Sequence, residues 1–591
     1  MNLRKSIISA YYSSIGFISL FLILCTSTFS SAQKIIRYPY IQLAQSTSVL
    51  IRYRTDQAIT SEISLSTDGK SFSPSIKSTS AQTEHSLPLN SLLPSTKYYY
   101  RVHLGGKEIV GDSSYFFKTA PSIGSKEKIS IFSVGDMAAG DTQKKVYNAY
   151  LNYQKNNYTN IFLSLGDNVY CGGSDACWQD EFFNPYHTGR LLRQSALYPS
   201  VGNHDYDNQP FPYQQDEPNM AYFQNFTLPS KGELGGVPST SEAYYSFDYG
   251  NAHFVCLDSY AWGKDNFRIF DQVNNIQLNW LKEDLKATKQ DWKVVYFHYP
   301  VYTKGTYDSD VNGEIIKLRD YLTRVFDEYG VDLVMSGHSH VYERSRPLKG
   351  QYGLSSEFSP EKNWPFNSSG RYDGTDKSCA YVINNSDPSK KGTTYVVNGC
   401  GGQTAAHRFN WPHPVMEFSL DKRGGSMAVD IENNRLDAKF IDEDGAVIDQ
   451  FTIFKDVNKV IKQTINAYDA IELKASWPAP ANSYIWSTGD KSEKINLRPL
   501  KSSTYTVTDS QKCLQDQYEI TVNPPLGTTN WEELISQPFD SLQIFDLLGR
   551  PWKSIQKEGV VDQHIMDGIP SGQYILEYHY QGKRFTLKLT H

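Results

Sequence analysis

Five apolar runs in this chain end in side chains that can bind a metal or move a proton. ISIFSVGD closes on Asp136, IFLSLGD on Asp167, and LYPSVGNHD on Asn203, His204 and Asp205. WKVVYFHYP carries His298, and VDLVMSGHSH carries His338 and His340. In an open α/β sheet, sites form beyond the carboxyl ends of the strands, so these groups are expected to converge despite their separation in sequence. Asp, Asn and His without cysteine suit hard or borderline metals and disfavour soft ones. Asp167 has two oxygens with which to bridge two ions, and Asn203 offers a neutral oxygen. His338 and His340 stand two residues apart, which places them on one side of an extended segment. They can then give one imidazole to each of two neighbouring ions. Two cations roughly 3.5–4 Å apart hold a hydroxide and neutralise phosphoryl oxygens. Taken singly, GNHD is often only a polar turn. The series carries the inference.

One further residue is ambiguous. Tyr170 lies three residues after Asp167 in GDNVY. It is either a packing residue or a phenolate ligand.

The rest of the chain must position these groups. At 591 residues it is too long for one core, so several domains follow. A 39% hydrophobic and 21% charged composition, with mean hydropathy −0.50, is that of a soluble protein. A net charge of −6 argues against a large polybasic nucleic-acid surface. The 41 tyrosines suit β-rich, extracellular domains. Arg4 and Lys5 before the apolar run Ile15–Cys25, then Ser30-Ser31-Ala32, predict a signal peptide over residues 1–32, with a retained anchor as the other reading. Cys171 and Cys177 flank GGSDA and predict a disulfide, and Cys379 with Cys400 is a second candidate pair. No cysteine has zinc-ribbon spacing.

Short alternating strands predict a β-sandwich over residues 33–121. Residues 127–455 change to α/β grammar, with helical patterns in IQLNWLKEDLKATK and IIKLRDYLTRVFDEYG. Residues 456–525 predict a small Ig-like β-sandwich, and residues 538–591 another compact β domain. The fold class is therefore multidomain: a central α/β domain, with β-sandwich domains at both ends.

GDMA, GDNVY, GNHD, the His in FHYP and GHSHVYER together resemble the motif set of the calcineurin-like metallophosphoesterases. The Asp-x-x-Tyr pattern narrows the likeness to the purple acid phosphatases, whose tyrosinate binds ferric iron. RYPYIQL, the fibronectin type III-like LLPSTKYYYRVHL and GTTYVVNGCGG extend the resemblance over about residues 35–455. It implies that the α/β centre is a metallophosphoesterase fold, a β-sandwich flanked by helices, with one ion held by Asp136, Tyr170 and His340, another by Asn203, His298 and His338, and Asp167 shared. The pair implied is Fe(III) with a divalent Zn, Fe or Mn. His204 is then the noncoordinating acid, and Asp205 either orients its imidazole or caps the turn. The implied reaction is hydrolysis of small-molecule phosphate monoesters by a metal-held hydroxide. Alternatives are a phosphodiesterase or nucleotidase, or a cell-surface adhesin with a degenerate site. Ala138, Ala139 and Gly140 stand where the family often has glycine sooner. Glu343 and Arg344 are expected to brace the histidine loop, and His187 is a candidate for the substrate mouth. FDLLGR, GIPSGQYIL and KRFTLKL resemble the type A sorting domain of type IX secretion, implying a Bacteroidota source, a partner secretion machinery and a secreted or cell-surface product. The final Thr-His departs from that domain's usual basic end.

Overall fold

The computed structural model describes residues 33–138, 140–261, 275–467, 469–523, 538–556 and 559–590. The leader expected over residues 1–32 lies outside them. Among the described residues no helix is long and apolar enough to cross a membrane.

Two sheets form the centre. The first is ten-stranded and runs through Tyr381–Ile383, Val447–Lys455, Arg435–Asp442, Gly425–Glu432, Ile129–Val134, Ile161–Leu165, Ala196–Ser200, Ile35–Gln42, Val49–Ile59 and Gln82–Leu89. The second is seven-stranded: Tyr245–Tyr249, Ala252–Cys256, Trp292–Phe297, Leu333–Ser336, Thr394–Asn398, Tyr342–Ser345 and Met416–Leu420. The middle strands of each sheet are parallel. They are buried along their whole length, which is why they read as unbroken apolar runs. The sheets pack face to face, with the ring of Tyr198 stacked 3.9 Å from that of Phe247.

The two helical patterns fold as Ile276–Ala287 and Gly313–Tyr329. The first buries Leu278, Leu281 and Leu285 at helical spacing, and the Asn275 side chain accepts from the amides of Gln277 and Leu278. The second starts at Asn312 in the same way and stops at Gly330, whose φ of 65° suits glycine at a helix end.

The N-terminal segment is not a free-standing sandwich. Ile35–Gln42, Val49–Ile59 and Gln82–Leu89 complete the ten-stranded sheet, with Ile41 paired to Ala196 in parallel. Its other strands form a separate five-stranded sheet. The seam is ionic: buried Arg37 reaches Asp175, Asn225 and Gln179, and Arg54 also reaches Asp175. Residues 456–523 make a four-stranded and a two-stranded sheet around Trp477 and Trp486. The last segment packs its own core of Leu542, Ile544, Leu576 and Leu587.

Cys171 and Cys177 are disulfide-bonded, as their spacing suggests. The Cys379–Cys400 pairing is wrong. Cys379 bonds Cys513, tying the α/β segment to the following β domain, while Cys400 is a free thiol in the core. Cys400 follows the buried strand Thr394–Asn398 and faces inward, whereas Cys379 precedes a sheet-edge strand within reach of the next domain.

A buried Asp-His-Asp triad holds the helix Ile276–Ala287 to its sheet. His253 Nδ1 lies 2.7 Å from Asp248 and its Nε2 lies 2.8 Å from Asp284, and the ring is fully enclosed. Burial alone lowers the imidazole pKa, but the two carboxylates lift it to about 9. The proton favours the folded state, so its stabilisation is complete below the unfolded value near 6.5 and disappears as pH rises through about 9. Chemical denaturation between pH 6.5 and 9 is expected to show a loss of about 3 kcal/mol that His253→Gln abolishes.

Candidate metal centre

The carboxyl ends of the parallel strands in both sheets meet at one place. From the first sheet come Asp136, after Ile129–Val134, Asp167, after Ile161–Leu165, and the turn after Ala196–Ser200 bearing Asn203 and His204. From the second come His298 after Trp292–Phe297, and His338 and His340 after Leu333–Ser336. Bringing these ends together demands glycine. A Cβ on Gly166 would lie 2.6 Å from His298 Nδ1, and one on Gly337 would lie 2.4 Å from Asp136 Oδ2. Asp136, Asp167 and His338 themselves have φ of 50°, 46° and 64°, a left-handed conformation uncommon for non-glycine residues but adopted more readily by Asp and His.

Two donor groups result. In one, the Tyr170 hydroxyl lies 3.1 Å from both Asp136 Oδ1 and His340 Nε2, and His340 Nε2 lies 3.2 Å from Asp136 Oδ1. In the other, His298 Nε2 lies 3.1 Å from both Asp167 Oδ2 and Asn203 Oδ1. Ligand atoms of Asp167, His298 and His338 all fall within 4.8 Å of one another. His338 is clamped face-on between Tyr299 and Tyr307, at 3.8 and 4.0 Å.

The hydrogen bonding of His298 tests the fit of a cation. Its Nδ1 lies 2.8 Å from the Leu165 carbonyl, an obligate acceptor, so Nδ1 carries the hydrogen. Nε2 then turns a bare lone pair toward two oxygens that also only accept. A positive ion must sit among them, either a proton or a metal. Consistent with this, burial lowers His298, yet Asp167 and Asp136 lift it to about 9. Burial would raise Asp167, but the His298 imidazole holds it net below the ordinary value. Burial, then Asp136 and Asp167, push the Tyr170 phenol far up. The oxygen and nitrogen donors, with two buried carboxylates, fit hard or borderline ions.

The turn after Asn203 corrects one expectation. Asp205 does not touch the His204 ring. It is fully buried and accepts from the amide of Asn168, the side-chain amide of Asn168 and the amide of Gly202. The residue that orients His204 is Asp207, whose carboxylate lies 2.8 Å from Nδ1. His204 is also tied down by its own amide, which donates to Asp167 Oδ1 at 2.8 Å. Its ring is 40% exposed. His187 is likewise away from the mouth: it stacks 3.7 Å from Tyr38 at the seam with the N-terminal segment.

Residues 130–342 match the family model for calcineurin-like phosphoesterases. The chain carries a calcineurin-like metallophosphoesterase domain. Its relatives include purple acid phosphatase 21 of Arabidopsis thaliana, 31% identical over 273 residues, which are 45% of this chain and 54% of that protein. A purple acid phosphatase of Glycine max is 26% identical over 362 residues, covering 59% of this chain and 67% of the relative. The chain thus spans about half to two thirds of their length. Among solved structures, yellow lupin purple acid phosphatase PPD1 superposes with a TM-score of 0.54 at 17% identity, covering 72% of this chain and 75% of that one. At this identity the likeness speaks to fold alone.

Several residues that serve the phosphoesterase domain were not singled out by their sequence. Tyr299 and Tyr307 gave no signal, because stacking on an imidazole leaves no local pattern. Asp207 stands three residues after His204, a spacing that one helical turn brings together. Glu343 accepts from the Thr303 hydroxyl and the Lys304 amide, and Arg344 pairs with Asp449 through two nitrogens. Glu343 reaches the histidine loop through Thr303, whose hydroxyl lies 2.9 Å from Ser339 Oγ, whereas Arg344 ties its strand to Val447–Lys455 and not to that loop.

The two aspartates near His204 separate by experiment. Asp205→Ala strands three buried donors and is expected to lower stability by about 2–5 kcal/mol. Asp207→Ala is expected to leave the melting temperature within a few degrees while lowering phosphoesterase kcat roughly tenfold. Thermal melts and kinetics on both variants check this. Loss of stability in the Asp207 variant alone would reverse the roles.

Proposed function

We propose that this chain is an exported acid phosphatase that hydrolyses small-molecule phosphate monoesters at a binuclear centre of Fe(III) and a divalent Zn, Fe or Mn ion. The observation that carries this reading is the Tyr170 hydroxyl, equidistant at 3.1 Å from Asp136 and His340. A phenolate with a carboxylate and an imidazole is a donor set that favours a hard trivalent ion. Asp136, Tyr170 and His340 would hold that ion, Asn203, His298 and His338 the divalent one, and Asp167 would be shared. When bound, the pair supplies Lewis acidity that polarises the phosphoryl group and acidifies a water.

The chain's own residues do the rest. The Tyr299–His338–Tyr307 stack fixes one imidazole plane, and the Leu165 carbonyl fixes the tautomer of His298. His204 is the proton donor: Asp207 holds Nδ1, which leaves Nε2 to protonate the departing oxygen. His204 is the more exposed of the site's histidines, as contact with substrate requires. The predicted leader over residues 1–32 and the sorting-domain likeness of residues 538–591 support export through type IX machinery.

The reading has a direct test. Reconstituted protein is expected to hold two metal ions and to be coloured by tyrosinate-to-iron charge transfer. In Tyr170→Phe the ring and its packing against His204, at 4.8 Å, remain while the oxygen is lost. The visible band should vanish and iron should bind more weakly. An unchanged band would make Tyr170 a packing residue. His204→Ala is expected to retain both ions and lose about 10²–10⁴ in turnover. A metal-free variant would instead make His204 a ligand.

A further inference from the structure

The segment Ala405–Phe409 lies against the loops that carry the ligands, and it presents a cation. The Ala405 amide donates to the His340 carbonyl at 3.1 Å. The Arg408 amide donates to the carbonyls of Lys304 and Gly305, at 3.0 and 2.9 Å. The Arg408 side chain adds a third anchor, Nε to the Thr306 carbonyl at 2.6 Å. That same Thr306 accepts the His340 amide on its hydroxyl, and the next residue, Tyr307, stacks on His338. The guanidinium is therefore fixed one residue outside the candidate metal ligands.

The other cation of this loop is taken up internally. Lys304 is buried and pairs with Asp310 at 3.0 Å and Asp308 at 3.6 Å. Arg408 is exposed, and no carboxylate pairs with it among the described residues. With Nε occupied by a carbonyl, its two Nη groups remain as a fork, the geometry that suits a carboxylate or phosphate.

We propose that Arg408 is an anion subsite on the rim of the centre, holding a second acidic group, phosphate or carboxylate, on the leaving part of a phosphoester. The proposal rests on the phosphoesterase reading above and names its substrate class: esters whose leaving group is itself negatively charged. Esters of neutral alcohols have nothing for the guanidinium to hold.

The test compares Arg408→Gln and Arg408→Lys with the unaltered chain, all metal-loaded, on three esters. Fructose 1,6-bisphosphate carries a second phosphate, 2-phosphoglycolate a carboxylate, and 4-nitrophenyl phosphate neither. Loss of a charge-assisted bond is expected to lower kcat/KM about tenfold or more in the Gln variant on one or both acidic esters. The change on 4-nitrophenyl phosphate should stay within about threefold, and Lys should restore part of the loss. Selective loss on fructose 1,6-bisphosphate or on phosphoglycolate names the preferred acid. Equal loss on all three, or none on any, overturns the proposal. Calorimetry with pyrophosphate against inorganic phosphate keeps the two readings apart. If no ester is hydrolysed, the functional reading fails. The subsite then stands only if Arg408→Gln weakens pyrophosphate about tenfold relative to phosphate, and falls otherwise.

Discussion

Buried negative charge is the constraint around which the centre is built. Asp136 and Asp167 lie at 0% and 2% exposure, on backbones with positive φ, where the carboxyl ends of strands from the two face-packed sheets converge. Carboxylates so enclosed are unfavourable unless paired or coordinated. Part of the answer is neutral donors: the His338 amide bonds Asp136 Oδ2 at 2.7 Å, and the His204 amide bonds Asp167 Oδ1 at 2.8 Å. One amide belongs to the candidate ligand His338 and the other to His204, which directly follows Asn203, so satisfying each carboxylate also sets a loop that carries a further candidate ligand. The remaining oxygens, Oδ1 of Asp136 and Oδ2 of Asp167, face Tyr170, His340 and His298. The uncompensated charge is thereby directed to one spot, which is what a cation site requires.

The strand-end grammar was legible because each ligand closes an apolar run, and runs buried on both faces contain little else. The helices Ile276–Ala287 and Gly313–Tyr329 were equally plain, since their buried leucines recur at helical spacing. What the sequence hid was pairing between distant segments. Nothing local says that Ile41 sits beside Ala196, or that Cys379 meets Cys513 across 134 residues. The division of labour between Asp205 and Asp207 was hidden for another reason. Both lie within one turn of His204, and only the direction of each side chain, inward to Gly202 and Asn168 or outward to Nδ1, separates them.

The N-terminal segment gains a role from its fusion to the sheet. Arg37 and Arg54 converge on Asp175, which lies between Cys171 and Cys177. Arg54, with Arg37, holds that carboxyl well below its usual range, at about 2, against the effect of burial. The disulfide closes the loop a few residues further, and Glu181 accepts the amides of Tyr170 and Cys171. An ion pair at the domain seam is thus connected, through a short covalent ring, to the residue whose hydroxyl faces Asp136. Such a route ties a β segment without candidate site residues to the loop that carries Tyr170.

Exposure then sorts the centre by task. Asp136, Asp167, His298 and His338 are buried, and each is held by at least one backbone or stacking contact that removes rotational freedom. Groups that keep ions in fixed geometry lose nothing by being immobile and gain from low dielectric. His204 is different: its ring is 40% exposed and, among the described residues, its side chain bonds only Asp207, itself on the surface. A proton donor must exchange its proton with water between turnovers, which a buried ring cannot do readily. Arg408, further out still, is rigid at the backbone and open at the guanidinium. On the proposed function, this order from sealed candidate ligands through half-exposed His204 to exposed Arg408 would match the path of a charged ester from solvent to the metal centre.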